Sequence, residues 1–225
     1  KLNSNFFLNH KIKKILIGLD LNFSMIQFAI SNGANVIITH HPIFIDPNDI
    51  KLEYVKNIRK TLSTNKITHI PIHTNYDISN NSMCFQLSRI ISNSKPKKPF
   101  KKSYGWVGSF DGTFLELLKT IKEKWEVDYI LSASQENKFV KNFYFGSGSC
   151  GSEVNFLLHN NYPIDVYITG EIKWNIWSLG NDMNKILVDV GHNVESFFIK
   201  DITRILEHKN VSVIYDKKQL KLKSF

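Results

Sequence analysis

Short runs of four to six apolar, mostly β-branched residues alternate along this chain with longer stretches whose apolar positions recur every three or four residues. The first run, residues 14–18 (KILIG), ends in Leu19-Asp20. Ser24 reads as the N-cap of a helix carrying Met25, Ile26, Ala29 and Ile30, which Asn32-Gly33 closes. Residues 36–39 (VIIT) form a second strand running into His40-His41-Pro42, and a helix with Leu52, Val55, Ile58 and Leu62 follows. A third strand over 67–72 ends in His73-Thr74-Asn75-Tyr76-Asp77, and residues 83–91 form the next amphipathic helix. Unbroken apolar strands separated by helices predict an α/β fold with mainly parallel sheets covered on both faces.

Residues 94–102 (SKPKKPFKK) hold five Lys and two Pro, and their composition reads as a solvated connector between two lobes. The alternation then resumes. Strands are expected over 104–110, 128–131, 139–145, 166–169, 186–190 and 211–215. Helices are expected over 113–125, from Glu153, around Trp174 and Trp177, and from Phe197 to Ile205. A glycine-rich turn, residues 146–151 (GSGSCG), opens the helix at Glu153.

At 225 residues the chain can bury one sizeable core or two small lobes. Its charge of +9 suggests a polyanion, yet only Arg59, Arg89 and Arg204 supply the guanidinium that reading phosphates and bases favours. Most of the excess is Lys in the connector, in residues 217–223 and on helix faces, so nucleic acid stays open as a partner without being indicated. No apolar run nears the roughly 20 residues of a membrane span, so no membrane association is expected. Cys84 and Cys150 stand alone, which excludes a disulfide scaffold and a thiolate zinc site and fits a cytoplasmic location. No signal peptide is visible, although the missing initiator Met leaves room for a removed leader.

Of the eight histidines, His10, His69, His159 and His208 read as structural. His40, His41, His73 and His192 differ, because each follows a predicted parallel strand, along the sheet edge where open α/β folds place their ligands. Pro42 bends the chain after the His40-His41 pair, so two adjacent imidazoles can serve one region, diverging enough to suit two ions better than one. Asp77 lies four residues after His73, and Glu195 three residues after His192. This nitrogen and oxygen donor set suits Zn, Mn, Fe(II), Co or Ni. Ser147 and Gly148, between a strand and a helix, could expose amides to an anion or form a tight structural turn.

The ordered motifs GLDLN, NGANVIITHHPIF, PIHTNYD, FGSGSCGSE, DVYITGEIKW and LVDVGHNVE resemble the family of GTP cyclohydrolase I type 2 homologues, also called Nif-three-like proteins. The likeness runs from about Ile15 to about Glu195. It implies two divalent metal ions per chain, held by His40, His41, Asp77, His192 and Glu195. The family usually places its glutamate four residues after the late histidine. Here the gap is three, and Ser196 stands at the usual place. His73 and Glu171 fall in family motifs as groups behind the ligands or in proton transfer.

The resemblance further implies two similar α/β lobes, the C-terminal segment returning to the first so that His192 can meet His40 and His41. This gives lobes of 1–98 with 187–225 and of 99–186, with no room at 94–102 for the domain some members insert. It also implies a homohexamer whose sites face an internal cavity. The family's N-terminal Trp-Asp-Asn and Gly-Leu-Gln stretch is not seen before Lys11, an expectation that the chain starts inside the protein. The leading functional expectation is a dinuclear metal-dependent hydrolase of a phosphate ester, nucleotide or similar small anion. Glu171 is then the first choice for general base, and Ser147 and Gly148 would hold the anion. The alternative is a non-enzymatic metal-binding or regulatory protein with structural or transferable ions.

Overall fold

The computed structural model describes residues 11–134, 136–209 and 211–215, so His10 and the lysines of 217–223 lie outside the described residues. The chain divides into two compact units. One is made of residues up to Asn75 together with those from Ser196 on, and the other is Tyr76–Glu195.

In the first unit, strands β1 (Ile15–Gly18), β2 (Val36–Thr39), β3 (Thr68–Pro71) and β9 (Val213–Tyr215) form a sheet in the order β3-β2-β1-β9, with every pairing parallel. β1 and β2 are buried throughout, as strands covered on both faces must be. Leu16 and Ile37 pack on one face against Met25, Ile26, Ala29, Ile58 and Leu62 of helices α1 (Phe23–Ser31) and α2 (Glu53–Thr64). The N-cap of α1 is Asn22 rather than Ser24, its side chain accepting the Met25 N–H at 2.9 Å. Helix α8 (Phe197–Glu207) contacts β1. With β9 it carries the chain's return to this sheet, as the fold expectation requires.

The second unit has a mixed five-stranded sheet in the order β4-β6-β7-β8-β5. Its centre, β6 (Phe139–Gly146), β7 (Val166–Thr169) and β8 (Ile186–Asp189), is parallel. The edge strands β4 (Trp106–Thr113) and β5 (Leu131–Ser132) run antiparallel to their neighbours. Alternation along β6 divides two aromatic cores. Tyr144 packs with Val154, Leu157, Tyr167 and Ile176 beneath α6 (Gly151–His159) and α7 (Trp174–Asp182). Phe145 meets Trp125 of α5 (Phe114–Trp125), the ring centroids 4.3 Å apart. The Trp125 indole donates to the Leu87 carbonyl of α4 (Met83–Ile91) at 3.0 Å.

The lobe boundaries thus fall elsewhere than the expected 98/99 and 186/187. Residues 187–189 belong to the second sheet because β8 pairs with β7 in register Leu187↔Tyr167 to Asp189↔Thr169. The Lys- and Pro-rich 94–102 stretch lies inside the second unit and is pinned there. Lys97 exchanges backbone hydrogen bonds with Val107 at 2.9 and 2.8 Å, and the Lys98 ammonium donates to the carbonyls of Ile78 and Ser103.

Candidate functional site

Both units place their candidate residues past the carboxyl ends of parallel strands. In the first unit β1, β2 and β3 lead into Leu19-Asp20, His40-His41 and Ile72-His73. The ladder continues beyond the assigned strands: His41 N–H donates to the Leu19 carbonyl at 2.9 Å, and Ile72 N–H to the Thr39 carbonyl at 2.8 Å. His40 N–H reaches the Gly18 carbonyl at 3.3 Å. The histidines therefore stand on backbone as ordered as the sheet.

Their rings converge. The centroids of His40 and His41 are 5.1 Å apart, those of His40 and His73 5.0 Å, and those of His41 and His73 5.6 Å. One ring nitrogen from each lies within 4.8 Å of the others. His40 is fully buried and touches Phe198 of α8, while His41 and His73 are partly exposed. Nδ1 of His40 lies 2.9 Å from the Ile72 carbonyl oxygen, which accepts only if Nδ1 carries the proton. That tautomer puts the lone pair on Nε2, where a metal ligand needs it. His41 Nδ1 lies 2.7 Å from Asp20 Oδ1. Three imidazole nitrogens that can close to bonds of about 2.0–2.1 Å fit a borderline divalent ion such as zinc. His73, expected behind the ligands or in proton transfer, brings a ring nitrogen within 4.8 Å of those of His40 and His41.

His69, read as structural, lies buried one residue pair deeper, its Nε2 2.7 Å from Thr39 Oγ1. That hydroxyl donates to the His41 carbonyl at 2.6 Å.

In the second unit β6, β7 and β8 lead into Ser147-Gly148, Gly170-Glu171 and Gly191-His192. His192–Ser196 is a 3₁₀ helix, in which side chains three apart eclipse. Glu195, not Ser196, therefore faces His192, with Oε2 3.1 Å from Nε2. The shortened spacing in the sequence is matched by a tighter helix. Glu195 is buried, while the His192 side chain is 42 % exposed. Asp77, at the end of the helical turn α3 (Thr74–Asp77), is also buried.

Glu171 lies 3.2 Å from His192 Nδ1 and accepts the Ser149 hydroxyl at 2.5 Å. The Ser149 hydroxyl first, and the His192 ring second, hold its carboxyl below the usual range. A carboxylate engaged in this way orients an imidazole better than it takes a proton from water.

The glycine turn packs closely against its neighbours. The Ser147 amide donates to Cys84 Sγ at 3.1 Å, and the Cys84 thiol donates to the Ser147 hydroxyl at 3.2 Å. The Ser147 amide is therefore engaged, while its hydroxyl accepts from the thiol and keeps its own O–H to donate. Burial pushes the Cys84 thiol up to about 12, so it stays protonated at neutral pH. Gly148 has φ +56°, and a Cβ there would collide with Glu195 Oε1. Glycine at this point lets the turn lie against the carboxylate. Sequence reasoning did not single out Asp20 or Ser149, and read Cys84 only as a lone cysteine that excludes a disulfide scaffold or thiolate zinc site. Asp20 shares the strand-end position that marked the histidines, whereas no local signal marked the other two.

A family model described as Duf34/NIF3 (NGG1p interacting factor 3) matches residues 7–219. The "GTP cyclohydrolase 1 type 2 homolog" of Mycoplasmopsis pulmonis (strain UAB CTIP) is 31% identical over 228 residues, covering 95% of this chain and 87% of that protein. The protein of the same name from Methanocaldococcus jannaschii is 29% identical over 202 residues, covering 88% and 82%. Among solved structures, reduced HcgD from Methanocaldococcus jannaschii superposes with a TM-score of 0.81 at 25% identity, covering 92% of this chain and 84% of that one. The Staphylococcus aureus protein SA1388 shares the fold with a TM-score of 0.77 at 19% identity, covering 95% and 88%.

Proposed function

Because this chain belongs to the Duf34/NIF3 (NGG1p interacting factor 3) family, we propose that it binds divalent metal and uses two ions per chain to hydrolyse a phosphate ester, nucleotide or similar small anion. The observation that carries the reading is the convergence of the His40, His41 and His73 ring nitrogens within 4.8 Å. The proposed ligands are His40, His41, Asp77, His192 and Glu195, with His73 close enough to join them. Bound ions of this kind activate a water and stabilise the oxygens of a displacement. The chain's own part is to present ring nitrogens as lone-pair donors, to hold His192 between Glu171 and Glu195, and to supply the anionic oxygens that balance a divalent charge. We further propose a cytoplasmic homohexamer. Among the described residues no helix is long and apolar enough to cross a membrane.

A second reading, a metal-binding or regulatory protein without turnover, is favoured by Glu171, whose carboxylate is taken up by Ser149 and His192. Elemental analysis of protein purified without added metal, read as ions per chain, tests the common part of both readings. A screen of phosphate esters and nucleotides with Zn, Mn, Fe, Co and Ni separates them. Hydrolysis that His41→Ala abolishes together with metal supports the enzyme. Loss of metal from His41→Ala with no change in hydrolysis of any ester would sink it. Sedimentation velocity tests the hexamer.

A further inference from the structure

We infer that Asp20 is a positioning residue for His41, an inference that rests on the metal-binding reading above. His41 is fixed at its backbone from two sides. Its N–H donates to Leu19, and its carbonyl accepts the Thr39 hydroxyl. Neither bond decides how the imidazole turns about its side-chain torsions, nor which nitrogen holds the proton. The Asp20 carboxylate does both. Its Oδ1 lies 2.7 Å from Nδ1, so the neutral ring keeps its proton there and presents Nε2 as the donor. A negative acceptor behind the ring also strengthens the imidazole as a ligand.

The neighbouring histidine shows the same logic built from a different part. His40 is oriented by the Ile72 carbonyl, a backbone group that no side-chain substitution removes. Asp20 is removable, and its side chain is 52% exposed. An exposed pair of this kind contributes little to folding, so a substitution at Asp20 should leave the fold intact while releasing the ring.

Zinc affinity, measured by competition with a chromophoric chelator on the full chain, tests the inference with Asp20→Ala, Asp20→Asn and His41→Ala. Asp20→Ala is expected to weaken zinc binding by about 10–100-fold. Asp20→Asn should weaken it less, because the amide oxygen still accepts the Nδ1 proton. Urea midpoints of both Asp20 variants should match the unsubstituted chain. Nitrogen-15 spectra of the metal-free protein supply a readout independent of metal. The His41 ring should be the Nδ1–H tautomer in the unsubstituted chain and in Asp20→Asn, and a mixture in Asp20→Ala. If His41→Ala loses zinc while Asp20→Ala binds it as tightly as the unsubstituted chain, or keeps a single tautomer, the inference is overturned and the metal reading stands. If His41→Ala itself binds zinc normally, the metal reading fails, and the role of Asp20 fails with it.

Discussion

The first unit seats its histidines on ladder backbone, with the Ile72 carbonyl at the His40 ring and the Asp20 carboxylate at the His41 ring, whereas the second holds His192 by side chains. His40 and His41 continue a parallel ladder, and His40 is sealed against Phe198. His192 sits in a short 3₁₀ turn with a carboxylate near each ring nitrogen, and much of its side chain faces solvent. The first arrangement supplies three converging ring nitrogens on ladder backbone. The second supplies negative charge on groups whose positions depend on one another. A ladder-held backbone and a set of mutually dependent side chains are thus two different devices at the same type of sheet edge.

The sharpest break of this comparison is to remove one histidine from each unit. His40→Ala should abolish measurable zinc binding by its group and, by emptying a fully buried position, cost about 2–4 kcal/mol in urea unfolding. His192→Ala should weaken zinc binding with less than about 1 kcal/mol of destabilisation, as befits a partly exposed side chain. Equal losses of stability would end the distinction between backbone-held and side-chain-held donors.

Gly148→Ala asks how strictly the second group depends on its turn. The left-handed backbone costs an alanine roughly 1–2 kcal/mol, and the new methyl displaces Glu195. A lower melting temperature should come with weaker zinc binding. A normal zinc affinity would show that Glu195 is no ligand.

The thiols come next. Buried Cys84, pushed up to about 12, and Cys150, pushed well above its ordinary value by burial, should resist iodoacetamide at pH 8 in the folded chain and react in denaturant. Mass spectrometry counts the adducts. Rapid native labelling of Cys84 would mean that the Ser147 turn opens readily.

The smallest effect serves as a control. Thr113 and Glu116 form a capping box at the start of α5, and hydrogen bonds from the Thr113 amide and hydroxyl hold the exposed Glu116 carboxyl below its usual value. A lowered carboxylate stabilises the fold above its unfolded-state value, and that contribution is lost as the pH falls through the folded-state value. Thr113→Ala should lower the melting temperature by a few degrees at pH 7, by less under acid conditions, and leave zinc affinity unchanged.

Much of this arrangement is legible in the sequence because apolar runs announce where strands end. The His40-His41-Pro42 and Gly191-His192 breaks mark the sheet edges directly. Strand polarity is a different matter. Trp106–Thr113 and Phe139–Gly146 read as strands in either direction, and only their pairing makes β4 antiparallel. Composition at 94–102 is right about solvent, since Lys95, Lys97, Lys101 and Lys102 are exposed, and misleads about the connector, since Pro96 is buried and the Lys97 backbone is paired with Val107. The His192 to Glu195 spacing departs from the family pattern until the turn proves to be 3₁₀. Asp20 and Ser149 escape notice because a carboxylate or hydroxyl past a strand ordinarily serves as a cap, and the partner that gives each its meaning lies 21 or 22 residues away.

The ladder bonds beyond β2 and β3 bear on the timing of metal exchange. Donors tied to a sheet cannot let go of an ion one at a time by swinging their backbone aside. Release from the first group should therefore be slow and governed by ring rotation at His41 and His73, the two partly exposed members, since His40 is walled in. A small chelator reaching those two rings should strip the ion much faster than dilution alone.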